Sequence, residues 1–315
     1  MSNLAFVFPG QGSQSVGMGG ELAGAFAVAR AVFEEVDEAL GQKLFRLIQD
    51  GPVETLTLTE NAQPALMAVS LAVARTLAAE FGVGVERAAF VAGHSLGEYS
   101  ALAAAEALGL AQTARLLRRR GQAMQAAVAP GLGMMVALIG PKSDLALAEA
   151  AVDAGAAAGV CTVANDNNDG NVVISGETAA VELAIAKAKE LGARAVPLNV
   201  SAPFHCPLMA PAADEMAEAL AETPIAAPRA PLVANVTARP TLAPEAIRRH
   251  LVEQVTGRVR WRESVAWMVG EGGVDRFVEL GAGKALTGMI KRIAPDAEAT
   301  AIATPAELEA FAKTL

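Results

Sequence analysis

Ser95 stands in Gly93-His94-Ser95-Leu96-Gly97, a G-x-S-x-G spacing that can offer a hydroxyl to a carbonyl carbon. Glycine two positions on either side lets a strand turn sharply into a helix without a Cβ clash. The start of such a helix supplies unpaired N–H groups and a partial positive charge where an oxyanion would develop. A serine hydroxyl is a weak nucleophile near neutrality and needs a base within hydrogen-bond reach. The chain has three histidines. His94 adjoins the serine, and on a turn its ring points away from the hydroxyl, toward a pocket wall. His250 follows Arg248 and Arg249 in a helical stretch, the setting of a surface residue. His205 lies in Ser201-Ala202-Pro203-Phe204-His205-Cys206-Pro207, where the prolines keep the loop out of its neighbouring elements. It is the candidate base. The same pentapeptide also fits a glycine-flanked turn with no chemistry.

Apolar patterning indicates the elements that must position these groups. Leu4 to Phe8 reads as a buried strand that runs into Pro9-Gly10-Gln11-Gly12-Ser13-Gln14, and such loops are where open α/β sheets bind ligands. Residues 88–92 form the strand before Ser95. Helical periodicity covers Glu21 to Leu40, Asn61 to Glu80, Leu96 to Ala107 and Ala111 to Val128. Asn61 reads as an N-cap with Pro64 close behind, which places Gln63 in a first helical turn. From Met134 to Val200 the order becomes β-α-β-β-α-β, the ferredoxin-like unit. The expected fold is therefore α/β: a large domain with a parallel sheet from residues 1–130 and 201–315, and a smaller α+β subdomain inserted at 131–200. Asn165 to Gly170 reads as a turn. Later strands are expected at Leu232 to Val236 and Phe277 to Leu280, with the last helix ending at Ile293.

Composition narrows the function. Of 315 residues, 53% are hydrophobic and 19% charged, enough to build a large core and too few charges for a disordered chain. No uninterrupted apolar run reaches membrane-spanning length, and the first residues lack a basic region ahead of apolar ones, so a cytoplasmic protein without a membrane partner is expected. Cys161 and Cys206 are too few for a disulfide framework and lack zinc-ligand spacing. A net charge of −9 argues against nucleic acid. Arg115, Arg118 and Arg119, and likewise Arg258, Arg260 and Arg262, read as solvated helix faces.

Five segments in order, FPGQGSQ at 8–14, GHSLGEYSAL at 93–102, RRRGQAMQ at 118–125, SAPFHCPLM at 201–209 and VELGAGKALTGMIKRI at 278–293, span nearly the whole chain. Together they resemble the malonyl-CoA:acyl carrier protein transacylase family, and the acyltransferase domains of polyketide and fatty acid synthases are similar at the same places. The resemblance implies an α/β-hydrolase-like large domain and ping-pong transfer for fatty acid biosynthesis. Malonyl would pass from coenzyme A to Ser95 and then to the phosphopantetheine thiol of acyl carrier protein. His205 would be base and acid in turn, and the backbone N–H groups of Gln11 and Leu96 the oxyanion donors. Arg120, which precedes Gly121 and Met124 as the family's arginine does, would hold the malonyl carboxylate with help from Gln63. His94, Met124 and Phe204 would line the pocket, the ring of Phe204 leaving no room for an α-methyl branch.

By the same resemblance the main-chain carbonyl of Gln254 orients the histidine in place of an acidic residue. Asn165, Asn167 and Arg194 would meet coenzyme A or pantetheine, and Asn171 stands where some relatives carry a glutamine. Arg194, Lys187 and Lys189 are candidates for a basic rim facing the carrier protein. No permanently bound cofactor or metal is implied, and the family is commonly monomeric. Three alternatives stay open: an α/β serine hydrolase, whose histidine usually lies nearer the C-terminus; a carrier-binding scaffold without activity; and a transferase for another extender unit.

Overall fold

The computed structural model describes residues 3–315 as a mixed α/β protein containing two sheets. Ten strands occur in chain order: β1 (Leu4–Phe8), β2 (Phe90–Gly93), β3 (Gly133–Ile139), β4 (Cys161–Asn168), β5 (Asn171–Glu177), β6 (Arg194–Pro197), β7 (Leu232–Val233), β8 (Pro240–Thr241), β9 (Arg276–Leu280) and β10 (Glu298–Ile302). The larger sheet runs β10-β9-β1-β2-β7-β8 and is parallel except for the β7–β8 pair. The smaller runs β4-β5-β3-β6, all antiparallel.

Every residue of β1 is buried because helices cover both faces. Leu4, Phe6 and Phe8 join the main core with Leu66, Val69 and Val73 of helix Thr59–Phe81, while Ala5 and Val7 pack with Trp261, Val265 and Phe277 on the other face. This alternation is what a pleated strand between two layers requires. Because β1 and β2 are parallel neighbours, the loops that follow them, at Gln11 and at Ser95, leave the same sheet edge side by side. The smaller sheet has a core of its own, in which Val136, Leu138, Val172 and Ile174 pack against Ala148, Ala151, Val181 and Ala184.

Several expectations need correction. The stretch from Glu21 to Leu40 is two helices, Gly20–Ala25 and Ala27–Leu40, broken by the extended backbone of Phe26. Helix Thr59–Phe81 begins two residues before Asn61, which is not its cap; the Asn61 side chain instead donates to the carbonyl of Thr55. That helix, whose apolar run is interrupted by Arg75, is long and apolar enough by length and composition to cross a bilayer, yet 67% of its apolar window is buried inside the protein. Residues 165–168 are not a turn. They extend β4, with bulges on either side of Asn165 and Asp166 that turn polar side chains inward.

Nor are Arg258, Arg260 and Arg262 simply solvated: Arg258 pairs with Glu149, Arg260 with Glu263 and Arg262 with the buried Asp166. β8, β10 and the closing helix Pro305–Ala312 were not anticipated. The last strand of the unit expected to run to Val200 is β6, which already ends at Pro197, and the strand expected at Leu232 to Val236 shortens to β7.

Candidate active site

Strand β2 delivers the chain into the turn, where Ser95 adopts φ 53° and ψ −110° immediately before helix Leu96–Ala104. A non-glycine residue at such angles costs on the order of 1–3 kcal/mol and persists only when its surroundings enforce it. Asn235, just beyond β7, provides much of that enforcement. Its Oδ1 accepts from the Ser95 N–H at 2.8 Å and its Nδ2 donates to the Gly93 carbonyl at 2.7 Å, while Gln254 Nε2 donates to the Ser95 carbonyl at 3.1 Å. Gly97 lets the helix meet β1, since a Cβ there would stand 2.2 Å from the Phe8 carbonyl oxygen.

Ser95 Oγ lies 2.8 Å from His205 Nε2. His205 Nδ1 faces two carbonyl oxygens, of Gln254 at 2.9 Å and Gly257 at 3.2 Å. Carbonyls only accept, so Nδ1 carries the proton, Nε2 presents its lone pair, and the serine hydroxyl donates to it. His205 is itself held at φ 57°. Burial, and then the charge of Arg120, lower its pKa to about 3, so the imidazole is neutral across the ordinary pH range.

Arg120 reaches the same hydroxyl from helix Leu110–Ala126. That helix crosses the start of helix Thr59–Phe81 at Gly121, where a Cβ would meet the Thr59 carbonyl oxygen and the Glu60 Cα at 2.7 Å. Arg120 is 1% exposed. It donates to Gln63 Oε1 at 2.9 Å, Gln254 Oε1 at 2.9 Å and Ser95 Oγ at 3.2 Å, and its Nε has no partner. All three acceptors are neutral. Desolvation is the largest influence and lowers its pKa, against the opposing pull of Tyr99 and of Glu98, neither of which is among these three acceptors.

These groups face a crevice of about 380 Å³ lined by Gln11, Gln63, His94, Ser95, Leu96, Arg120, Met124, Asn165, Phe204 and His205, among others. Its volume falls within the usual range for small-molecule sites. Gln254 lies behind this wall, touching Arg120 and His205 from outside. Asn167 is one step further back, its Oδ1 2.9 Å from His94 Nε2. Arg194 does not line the crevice and is exposed on β6, at the edge of the smaller sheet. Asn235 and Glu98 are further site residues that the sequence alone does not mark. Glu98 sits inside the serine motif, and Asn235 follows a short apolar run where a neighbouring strand ends; only the pairing of β2 with β7 reveals that the two meet. Among the described residues no group of three or more His, Cys, Asp or Glu could hold a metal ion.

An activated hydroxyl, a neutral imidazole and a buried cation in one crevice are the parts of an acyl-transferring α/β protein with an anionic substrate. Residues 5–305 match the family model for the acyl transferase domain, and the chain belongs to that family. It is 44% identical over 311 residues to the malonyl CoA-acyl carrier protein transacylase of Escherichia coli K12, covering 98% of this chain and 99% of that protein. The Bacillus subtilis 168 protein of the same name is 42% identical over 316 residues, covering 100% and 98%. Among solved structures, the acyl-carrier-protein S-malonyltransferase of Bartonella henselae superposes with a TM-score of 0.96 at 54% identity, covering 99% of both chains. A malonyl-transacylase in complex with a type II polyketide acyl-carrier protein gives 0.95 at 42%, covering 100% of both.

Proposed function

We propose that the protein moves malonyl from malonyl-CoA to the phosphopantetheine thiol of acyl carrier protein, supplying extender units for fatty acid synthesis in the cytoplasm. The observation that carries this reading is Arg120: a buried guanidinium, hydrogen-bonded only to neutral oxygens, 3.2 Å from a serine that also faces a histidine. Such a cation fits an acyl group with a free carboxylate, which arginine binds bidentately. Gln63 steadies the guanidinium, and Met124 and Phe204 fill the space around the acyl chain.

Ser95 Oγ attacks the thioester carbonyl while its proton passes to His205 Nε2. The oxyanion is met by the N–H groups of Gln11 and Leu96, each worth about 10²–10³ in rate. As the C–S bond breaks, the leaving thiolate takes the proton from His205. The carrier thiol then gives its proton to His205 and attacks the ester, and Ser95 recovers the hydrogen. Coenzyme A is the substrate's own handle, and no permanent cofactor enters. Asn165 on the crevice wall suits pantetheine, Asn167 acts through His94, and Arg194, on the opposite edge strand of the same sheet, suits the phosphate end. The carrier protein docks on the rim, and the enzyme works as a monomer.

The architecture is read in the same terms. Residues 1–130 and 201–315 form a hydrolase-like catalytic domain, supported by the parallel sheet and its nucleophile turn. Residues 131–200 form a ferredoxin-like insert, supported by the strand order β4-β5-β3-β6.

Mass spectrometry of the intact protein tests the reaction. Malonyl-CoA should add one malonyl group, later addition of carrier protein should remove it, and Ser95→Ala should never acquire it. Rapid loss to water without carrier protein would favour a hydrolase.

A further inference from the structure

Glu98 is fully buried, one turn along the helix from Ser95, and the proposed reaction does not use it. Its Oε2 accepts from the Asn235 N–H at 2.9 Å and from Gln254 Nε2 at 2.9 Å, while Oε1 has no partner. Asn235 holds the Ser95 turn, and Gln254 holds Arg120 and His205. One carboxylate oxygen thus anchors both supports of the site. The free oxygen can take a proton without breaking either bond.

Few charges reach this carboxylate. Helix Leu110–Ala126 contributes Arg120, whose positive charge acts on Glu98, and Glu98's own helix contributes Tyr99. Helix Leu96–Ala104 packs against β1, β2 and β7, none of which carries an ionisable side chain, and against helix Thr59–Phe81, whose side chain at the arginine is the amide Gln63. Helix Pro244–Thr256 presents the amide of Gln254.

We propose that Glu98 is a positioning residue with two duties: it braces the nucleophile turn and Arg120 through Asn235 and Gln254, and it is the resident counter-charge of Arg120, taking a proton from solvent when the substrate's carboxylate occupies the guanidinium. The inference rests on the reading that Arg120 binds the malonyl carboxylate. Two carboxylates crowding one buried cation cannot both keep their charge cheaply, and the one already desolvated yields first. Burial already pushes the Glu98 pKa up to about 7 against the lowering pull of its hydrogen bonds and of Arg120, so a second anion tips it to the acid form.

The test is acyl transfer from malonyl-CoA and from acetyl-CoA between about pH 6.5 and about pH 8.5, with calorimetry of Ser95→Ala protein binding each thioester in two buffers of different ionisation heat. In the wild type, KM for malonyl-CoA should rise above neutrality by at most about tenfold per pH unit, and KM for acetyl-CoA should stay flat. Malonyl-CoA should take up protons beyond those taken up with acetyl-CoA. Glu98→Gln keeps a carbonyl oxygen for both donors and loses the charge. It should therefore abolish the malonyl-specific slope and uptake, with kcat within about threefold of wild type. Glu98→Ala removes the brace and should lower kcat for both thioesters alike; the Gln variant decides the matter if the Ala variant fails to fold. A Glu98→Gln protein that keeps the wild-type slope, or equal proton uptake with both thioesters, overturns the counter-charge. Wild-type protein that takes no malonyl on Ser95 overturns the reaction as well.

Discussion

Two arginines of the protein, Arg120 and Arg262, are treated in opposite ways. Arg262, on helix Trp261–Gly270, donates to Asp166 of β4 through Nε at 3.0 Å and through its second nitrogen at 2.8 Å, and the Asp166 side chain is completely buried. Around that pair the chain closes further bonds, with Val259 N–H donating to the Ala164 carbonyl at 2.8 Å and Asp166 N–H to the Val259 carbonyl at 3.0 Å. Arg120 is more deeply buried yet has no carboxylate against it, only amide and hydroxyl oxygens, and its Nε is left over. The completed pair fastens the edge strand β4 of the smaller sheet to helix Trp261–Gly270, which packs against the larger sheet. The incomplete one is where an anion from outside completes the set. A buried cation with no carboxylate hydrogen-bonded to it marks a binding site, and one already closed into a bidentate pair marks scaffold.

The comparison breaks most visibly at Arg120. Arg120→Ala should lower malonyl transfer by about 10²–10³, the scale expected when one member of a desolvated charge pair is truncated. Transfer from acetyl-CoA should persist or increase, and thermal stability should hold, because the change removes a buried cation that the fold had to accommodate. Equal loss with both thioesters, read from steady-state kinetics, would make Arg120 scaffold after all.

At Arg262 the expected pattern reverses. Arg262→Ala leaves Asp166 buried without its partner, at a cost of about 3 kcal/mol in unfolding free energy, while the preference for malonyl over acetyl stays as in the wild type. Denaturant unfolding and the same kinetic ratio check both halves. A shifted preference with unchanged stability would mean that the two arginines share one task.

These differences also explain which parts of the fold and site are legible in the sequence. The serine turn, the crevice-lining Gln11 and Gln63, and the alternation of β3 to β6 with their helices lie in short contiguous patterns, and local geometry expresses them. The ion pair was not legible: 96 positions separate Arg262 from Asp166, and a run of Asn and Asp carries the same composition whether it forms a turn or the polar end of a bulged strand. Asn235 and Glu98 are 137 positions apart and meet only because β7 lies beside β2. β10 carries little strand signal because Glu298-Ala299-Thr300-Ala301-Ile302 has little apolar bulk; two of its residues are buried, one on either side of the strand. The carbonyl of Gln254 came only from resemblance, since a main-chain acceptor leaves no trace in residue type.

The smallest expected effect concerns His205, and it tests how far the unpaired charge reaches. An imidazole with an ordinary pKa of 6.5 would cost the enzyme its base as pH falls through that value. Here burial comes first and Arg120 second in holding the folded-state value at about 3, so the rate of Ser95 malonylation should change by less than about twofold between pH 7 and pH 5.5. Stability behaves differently over the same interval. The unfolded chain protonates this histidine below 6.5 while the folded protein does not, so its contribution is complete above 6.5 and drains away as pH falls toward 3. Rapid-quench acylation and thermal unfolding across the interval should therefore diverge, the rate staying level while the melting temperature falls. With acetyl-CoA as donor, Arg120→Ala should move the acid limb of the rate upward, because the cation that depresses the imidazole is gone. An inflection near 6.5 in the wild type, unmoved by the substitution, would mean that the charge of Arg120 never reaches the base.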